Sequence, residues 1–448
     1  MNDYKIWISY HKDEQVDKYG LKEDENHTLF ATHKDVEGKN INSLNPVYSE
    51  MVTMWYVWKN AIKSDFVGFN HYRRRFDVHR LPNKGECQIL RFCDFGNETI
   101  YNQYGRYHNI KDMDSVLSIL DNKFGADNAY SKHIMESHVM IGKCCFLMKW
   151  SDFGKLCKFL FGVLDEFAQT AVENPKDLSS WRHKAEKDFA GKGTDYQTRV
   201  LSFLAERLIS AWIFANLSPY IDGRNVAIVH YNTPDLTEAA IKSLFKCTLG
   251  CHVYVFDNSD KKPFSTKMAN VEVIDNTKGQ LINFDAELEK YPEKWERDIK
   301  KSNYGSAKHT MSVDYLMGLI PTGFVLMDSD VLIKSDISPF FNKNVACMGA
   351  EEVKHNVPLL MPFLCWLNVP MIAEKNISYF NGEKMWALSN VEPNCYYDTG
   401  AWLLEEVRRN GLPVGYVNIW QYVIHLGHGS WRGQNSATWL KQNEGLWK

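Results

Sequence analysis

Asp328 and Asp330 close the apolar run Phe324-Val325-Leu326-Met327 and are separated by a single serine. Successive side chains on an extended chain point to opposite faces, so the two carboxylates share a face while Ser329 turns away. Such a pair suits a hard divalent cation, Mn²⁺ or Mg²⁺, which takes oxygen ligands and commonly completes its shell with phosphate oxygens. The chemistry expected at this point of the chain is the handling of a diphosphate. Short acidic patterns also recur in turns that cap themselves, so the surrounding residues decide between the two.

Moving a sugar from a nucleotide donor needs a neutralised leaving diphosphate, recognition of the base and usually a carboxylate that deprotonates the acceptor hydroxyl. Asp257 ends the apolar run Val253-Tyr254-Val255-Phe256 and could accept from a uracil N–H, with Tyr231 and Asn232 lining the base. Asp257-Asn258-Ser259 reads equally as a self-capping turn. For the base the expectation is Asp398, just ahead of the helical run that starts at Ala401, where it competes with a helix N-cap role. Glu351 and Glu352, after the strand pattern Val345 to Gly349, stand in reserve. Near the C-terminus, His425-Leu426-Gly427-His428-Gly429-Ser430-Trp431-Arg432 reads as a closing loop. There His425 would complete the metal site, the glycines would let backbone N–H groups approach phosphate, and Arg432 would neutralise it.

A second chemical edge lies in the other half of the chain, where Phe66-Val67-Gly68-Phe69 runs into Asn70-His71-Tyr72-Arg73-Arg74-Arg75. Arginines at a strand end can hold a diphosphate by paired hydrogen bonds without a metal, which makes His71, Tyr72, Arg73 and Arg74 donor-binding candidates. A solvated basic patch or an internal ion-pair cluster is the plainer reading. Glu206 and Arg207 are further candidates inside an otherwise apolar helix; burial demands partners for both, so an ion pair with each other or with Arg74 competes with donor contact.

The elements that must position these residues are those of an α/β protein. Helix, strand and polar edge occur twice, ending once in bases and once in acids. Asn45 and Pro46 read as a helix start with the stripe Met51, Trp55, Trp58 and Ile62, ahead of the basic edge. Ala307, Met311, Tyr315 and Leu319 form the stripe that feeds the aspartates. A break near Asp222-Gly223-Arg224 separates the apolar helix Ser202 to Leu217 from a fresh strand at Val226. The expectation is two open Rossmann-like sheets in tandem, residues 1–222 and 223–448, with ligands beyond the carboxyl ends of the strands.

Composition narrows the function classes. With 448 residues, 44% hydrophobic and 24% charged, the chain can build two cores. A net charge of -3 supplies no basic field, which argues against nucleic acid as a partner. The 10 cysteines contain no Cys-x-x-Cys pair and the N-terminus lacks a signal-peptide pattern, so a reducing cytosol is the simpler compartment. The apolar stretch Val357 to Ile372 holds three prolines and falls short of the roughly 20 residues that span a bilayer. It reads as a core or lid segment, with contact to a lipid-linked acceptor or the inner membrane face as the alternative.

Tyr231-Asn232, Asp257-Asn258-Ser259 and Asp328-Ser329-Asp330 stand in the order seen in GT-A glycosyltransferases of the large inverting family-two type, which the stretch Val226 to Asp330 resembles. The resemblance implies Mn²⁺- or Mg²⁺-dependent transfer from a UDP-sugar, with Asp398 at the place of the acidic base. That family's Glu-Asp pair reads Tyr397-Asp398 here. From about Lys5 to Leu217 the chain resembles bacterial polysaccharide-biosynthesis domains of formerly unknown function. Tyr10-His11-Lys12, Asn45 with Glu50 before Trp58-Lys59-Asn60, Gly68-Phe69-Asn70-His71-Tyr72-Arg73-Arg74 and Ala205-Glu206-Arg207-Leu208 carry it. That resemblance implies work on capsule, O-antigen or exopolysaccharide, including galactofuranose transfer, with a glycan or lipid-linked glycan as acceptor. The readings that compete are a single C-terminal transferase with an N-terminal acceptor-binding module, and a Mg²⁺-dependent phosphohydrolase with Asp328 as nucleophile.

Overall fold

The computed structural model describes residues 3–185, 187–290, 304–354, 356–386, 397–427 and 435–448. The chain divides into two compact units, Met1–Asp222 and Gly223–Lys448.

In the first unit the strands are β1 (Tyr4–Tyr10), β2 (His27–Ala31), β3 (Phe66–His71), β4 (Glu86–Ile89), β5 (Phe92–Asp94), β6 (Val139–Ile141), β7 (Phe146–Lys149) and β8 (Ser218–Ile221). Six of them form one sheet in the order β2-β1-β3-β7-β4-β8, and β5 pairs separately with β6. Strand β3 is buried along its whole length, as expected of a central strand covered on both faces. Gly68 is required within it, because a Cβ there would stand 3.0 Å from the Phe146 carbonyl oxygen of β7. Helices α1 (Met51–Lys59), α2 (Trp150–Ala171) and α3 (Val200–Asn216) supply much of the core, with Val52, Phe69, Phe153, Leu156, Phe161 and Leu204 among its buried residues. Trp58 and Phe161 stack at 5.6 Å across α1 and α2.

The helix expected from Asn45 onward is broken. A single turn at Asn45–Tyr48 stops at Ser49, whose φ of +48° no regular helix accommodates, and α1 restarts at Met51. Ile62 therefore lies beyond the helix whose stripe it was expected to join. Glu50 follows the break and sits at the start of α1.

In the second unit the strands are β9 (Asn225–His230), β10 (His252–Asp257), β11 (Val271–Asp275), β12 (Phe324–Met327), β13 (Val331–Ile333), β14 (Cys347–Gly349), β15 (Glu351–Lys354), β16 (Val357–Leu360), β17 (Leu364–Leu367), β18 (Val414–Tyr416) and β19 (Val423–His425). The sheet order is β11-β10-β9-β12-β17-β14-β18, with β13–β19 and β15–β16 as separate pairs. Helices α4 (Pro234–Cys247), α5 (Tyr304–Leu319) and α6 (Ala401–Arg409) pack on it. Alternation along the strands divides the interior in two: Val226 and Ile228 belong to one core with Leu244 and Trp366, while Ala227 belongs to another with Leu316, Leu326 and Leu403.

The two sheets share one topology. The order β8-β4-β7-β3-β1-β2 matches β18-β14-β17-β12-β9-β10, to which the second unit adds β11. In both, the central strand has a parallel neighbour on one side (β1 for β3, β9 for β12) and an antiparallel one on the other (β7, β17). The pairs β5–β6 and β15–β16 follow β4 and β14 in the chain. His71 to Arg74 and Asp328 to Asp330 thus occupy equivalent sheet edges, at which open α/β sheets bind ligands.

The apolar stretch Val357 to Ile372 forms β16, β17 and the start of the helix Val369–Glu374, and Leu359, Leu360, Phe363, Leu364 and Trp366 are buried within the unit. It is interior packing, and the membrane-facing alternative loses its apolar surface. Among the described residues no helix is long and apolar enough to cross a membrane.

Candidate functional sites at two sheet edges

The acidic edge is assembled from three distant parts of the chain. After Met327 the backbone leaves β12 in a turn, and Asp328 N–H donates to the Phe363 carbonyl at 3.3 Å. Ser329 turns away, its Oγ 3.2 Å from Thr233 Oγ1. Strand β13 then pairs antiparallel with β19, placing Val331 opposite His425, and Leu426 N–H donates to the Asp330 carbonyl at 3.0 Å. That ladder brings His425 Nε2 to 3.1 Å from Asp330 Oδ1, and the imidazole stacks on Phe363 at 4.3 Å. Ligand atoms of Asp328, Asp330 and His425 all lie within 4.8 Å of one another. Burial works against a charged His425, but the hydrogen bond to Asp330 and the two aspartate charges outweigh it and raise its pKa.

One further side chain faces this group. His309, on α5, holds Nε2 3.5 Å from Asp328 Oδ1, and both of its ring nitrogens are buried without a hydrogen-bond partner. Two carboxylates, an imidazole and an adjacent unsatisfied imidazole fit a divalent cation. The mixed oxygen and nitrogen set suits Mn²⁺ better than Mg²⁺, which prefers oxygen and retains water. His309 escaped the sequence reading because α5 was read through its apolar stripe. The available signal was a histidine flanking that stripe on the helix that feeds the aspartate strand.

The same helix reaches a second carboxylate. Ser306, one turn before His309, lies close enough to Asp398 to favour its charged form, and the Asp398 carboxylate pairs with Lys354 Nζ and accepts from Thr399 N–H at 2.8 Å. Burial pushes the Asp398 pKa up, but Lys354, Thr399 N–H and Ser306 together hold it below the ordinary value. The cap of α6 is Gly400, with φ +86° and no side-chain cap bond, so Asp398 is not the N-cap. Of the reserve acids, Glu351 is paired with Arg408 at 2.6 Å and Glu352 is exposed on β15; neither joins the Asp328, Asp330 and His425 group.

Beside the acids, Asn232 ties the loops that follow β9 and β10. Its N–H donates to Ser259 Oγ at 2.9 Å, its Nδ2 to Asp260 Oδ1 at 2.5 Å, and its Oδ1 accepts from Lys261 and Lys262 N–H at 3.0 and 2.9 Å. Tyr231 is left partly exposed, with Lys308 of α5 5.9 Å over its ring. Asp257 is only 1% exposed, and its two oxygens accept from Ser259 and Phe264 N–H at 2.8 and 2.7 Å. The geometry is that of the self-capping turn, and the exposed carboxylate of this loop is Asp260. Arg432 and His428 lie outside the described residues.

The basic edge has a different character. Arg74 N–H donates to the His71 carbonyl at 2.8 Å and His71 N–H to the Arg74 carbonyl at 3.0 Å, a tight turn directly after β3. Tyr72 packs against the rings of His71 and His11 at 4.1 and 5.7 Å, and the Arg73 guanidinium stands 5.1 Å from the Tyr72 ring. Burial first, then the charges of His11, Arg73, Arg74 and Lys143, hold His71 down at about 3. Burial, Arg199, Arg73 and His33 hold His11 down at about 4. Both imidazoles are therefore neutral at pH 7 amid cations. Arg73, Arg74, Lys143 and Arg199 have no carboxylate within 4.0 Å among the described residues, whereas Arg75 donates to the Tyr19 carbonyl at 3.0 Å. A small cleft of about 10 Å³, room for about one water, lies here, lined by Ser9, Glu50, Asn70, His71, Lys143 and Cys144 among others.

Glu206 and Arg207 form the internal pair. Arg207 is 4% exposed and donates to Glu206 Oε2 at 3.1 Å, the Phe203 carbonyl at 3.0 Å and Gln103 Oε1 at 2.7 Å. Glu206 Oε1 accepts from Lys143 N–H at 2.8 Å, so the pair shapes the turn that carries Lys143 toward the cleft. The expected link from this pair to Arg74 is absent among the described residues.

Residues 5–217 match the family described as Domain of unknown function (DUF4422). No curated protein matches the sequence. Among solved structures, the chain is similar over 93% of its length to 87% of the WbbM bifunctional glycosyltransferase, at 14% identity and a TM-score of 0.37. It is similar over 44% of its length to 73% of the galactosyltransferase LgtC, at 12% identity and a TM-score of 0.28. It is similar over 44% of its length to 45% of the glycosyltransferase GlyE of Streptococcus pneumoniae TIGR4, at 11% identity and a TM-score of 0.27.

Proposed function

We propose that the chain is a bifunctional glycosyltransferase with a metal-dependent site at the acidic edge and a metal-independent site at the basic edge. The observation that carries this reading is the convergence of Asp328, Asp330 and His425 on one point, beside Tyr231 and Lys308. A divalent cation bound there supplies positive charge to the leaving diphosphate of a UDP-sugar. Asp328, Asp330 and His425 hold that charge in place, Tyr231 and Asn232 line the base, and Asp398 is the carboxylate offered toward the sugars. Arg432 belongs to this donor site by the same reading.

At the basic edge His71, Tyr72, Arg73 and Arg74 receive the donor. The cations that lack carboxylate partners do what the metal does in the other unit, since guanidinium groups bind phosphate oxygens in pairs. A galactofuranosyl nucleotide is the proposed donor for this unit and a UDP-hexose for the other. The acceptor is a growing capsule, O-antigen or exopolysaccharide chain, free or lipid-linked, met in the cytoplasm.

Separate Asp330→Ala and Arg74→Ala variants test the two-site reading by nucleotide release from a panel of UDP-sugars. Each variant is expected to abolish release from its own donor and spare the other. If one removes all transfer and the other changes only acceptor affinity, the chain is one transferase with a binding module. Release of inorganic phosphate from sugar phosphates, with none of UDP, would make it a phosphohydrolase.

A further inference from the structure

The basic edge has cations for a leaving group but so far no group to take the acceptor's proton. Glu50 is placed for that task. It lines the same cleft as His71 and Lys143, and makes no cap bond to α1 although it stands at the helix start. No lysine, arginine or histidine lies within 4.0 Å of its carboxylate among the described residues. Backbone strain concentrates around it: Ser49 has φ +48°, Lys143 +75° and Cys144 +51°, all non-glycine residues in the sparsely populated left-handed half of φ space. Such conformations persist where the surrounding structure enforces them, and they cluster at active sites. Burial pushes the Glu50 carboxyl above the ordinary carboxylate range; its own backbone N–H, Arg199 and Lys143 pull the other way, while Glu206 adds to the push. A carboxylate raised in this way is a stronger base.

The shared topology supplies an independent argument. Helix α1 precedes β3 as α5 precedes β12. In the second unit the first turns of α5 send Ser306 to Asp398 and His309 to Asp328, which places the start of that helix at the chemical edge. Glu50, at the start of α1, holds the equivalent place in the first unit.

Resting on the reading of the basic edge as a transferase site, we propose that Glu50 is its general base. The acceptor oxygen forms a bond to the anomeric carbon as the bond from that carbon to the diphosphate oxygen breaks. The bonding electron pair leaves on the nucleoside diphosphate, beside Arg73, Arg74 and Lys143, and the acceptor's hydroxyl proton passes to the Glu50 carboxylate. Attack opposite the leaving group inverts the anomeric carbon.

The test uses the full chain carrying Asp330→Ala, in EDTA, with UDP-galactofuranose and a panel of UDP-hexoses, each offered simple galactoside and glucoside acceptors. Glu50→Gln keeps the shape and removes the base. It is expected to lower UDP release about 10²–10⁴-fold, with UDP affinity by calorimetry unchanged within about 2-fold and Glu50→Asp intermediate. Full turnover in Glu50→Gln, with turnover abolished by Arg74→Ala, would overturn the role of Glu50 and leave the site standing. Parallel loss of UDP affinity and turnover in both Glu50 variants would make the residue structural and overturn it too. Absence of any EDTA-resistant release from the parent would remove the site itself, and the base with it.

Discussion

His309 Nε2 lies 3.5 Å from Asp328 Oδ1, and neither ring nitrogen of this histidine has a hydrogen-bond partner among the described residues. A buried polar group left unsatisfied costs about 1–3 kcal/mol, a cost that natural folds tolerate where a ligand completes the bonding. On the proposed reading of the acidic edge, His309 is a positioning residue for Asp328 and the cation. His309→Ala is expected to raise the Mn²⁺ concentration needed for half-maximal UDP release by about 10–100-fold, with the melting temperature unchanged or higher. A melting temperature that falls while the Mn²⁺ dependence stays put would assign the residue to packing alone.

Gly400 gives a test of the support beneath Asp398. Its φ is +86°, and an added Cβ would overlap the Leu360 carbonyl oxygen, which is backbone and has little freedom to withdraw. Gly411 has φ +66° but open space around it. Gly411→Ala should cost about 1–2 kcal/mol, the penalty of left-handed backbone alone. Gly400→Ala should cost more, and it should also lower metal-dependent release by displacing Asp398. Denaturant unfolding of the two variants side by side measures the difference, and equal costs would contradict the steric argument.

The first unit should lose stability in mild acid. His133 is held at about 4 by burial, with its Nε2 3.2 Å from Ser210 Oγ, and His11 and His108 are likewise held at about 4. An unfolded histidine titrates near 6.5. Between those values the unfolded chain binds more protons, so stability is fully present above about pH 6.5 and declines as the pH falls toward the folded values. The buried carboxyls of Glu50 and Asp112, raised by desolvation, act in the opposite sense. His133→Gln isolates one imidazole: unfolding free energy should depend less steeply on pH below about 6.5 in the variant than in the parent. Identical slopes would show that His133 does not contribute.

The sheet framework was legible in the chain because its strands are apolar runs bounded by turn residues. Val226 to Val229 and Val253 to Phe256 emerge as Asn225–His230 and His252–Asp257, each extended by one residue at either end of the apolar run. The tandem repeat of helix, strand and polar edge was also visible, since each copy keeps the same period. What stayed hidden depends on contacts between distant segments. The ladder that seats His425 against Asp330 spans 95 residues. Asp257 looked available until the backbone N–H groups of Ser259 and Phe264 were seen to occupy it. The break at Ser49 could not be read from an apolar stripe that begins only after it, and Glu50 was legible only as part of a family pattern.

The central claim is that nucleotide release at the acidic edge depends on a divalent cation held by Asp328, Asp330 and His425. The measurement is UDP release from a panel of UDP-sugars by the intact chain, first with Mn²⁺ and then with EDTA, repeated on Asp330→Ala. The account predicts a donor whose turnover disappears in EDTA, returns with Mn²⁺ and is absent from the variant under both conditions. Release from that donor that continues undiminished in EDTA and in Asp330→Ala would contradict it.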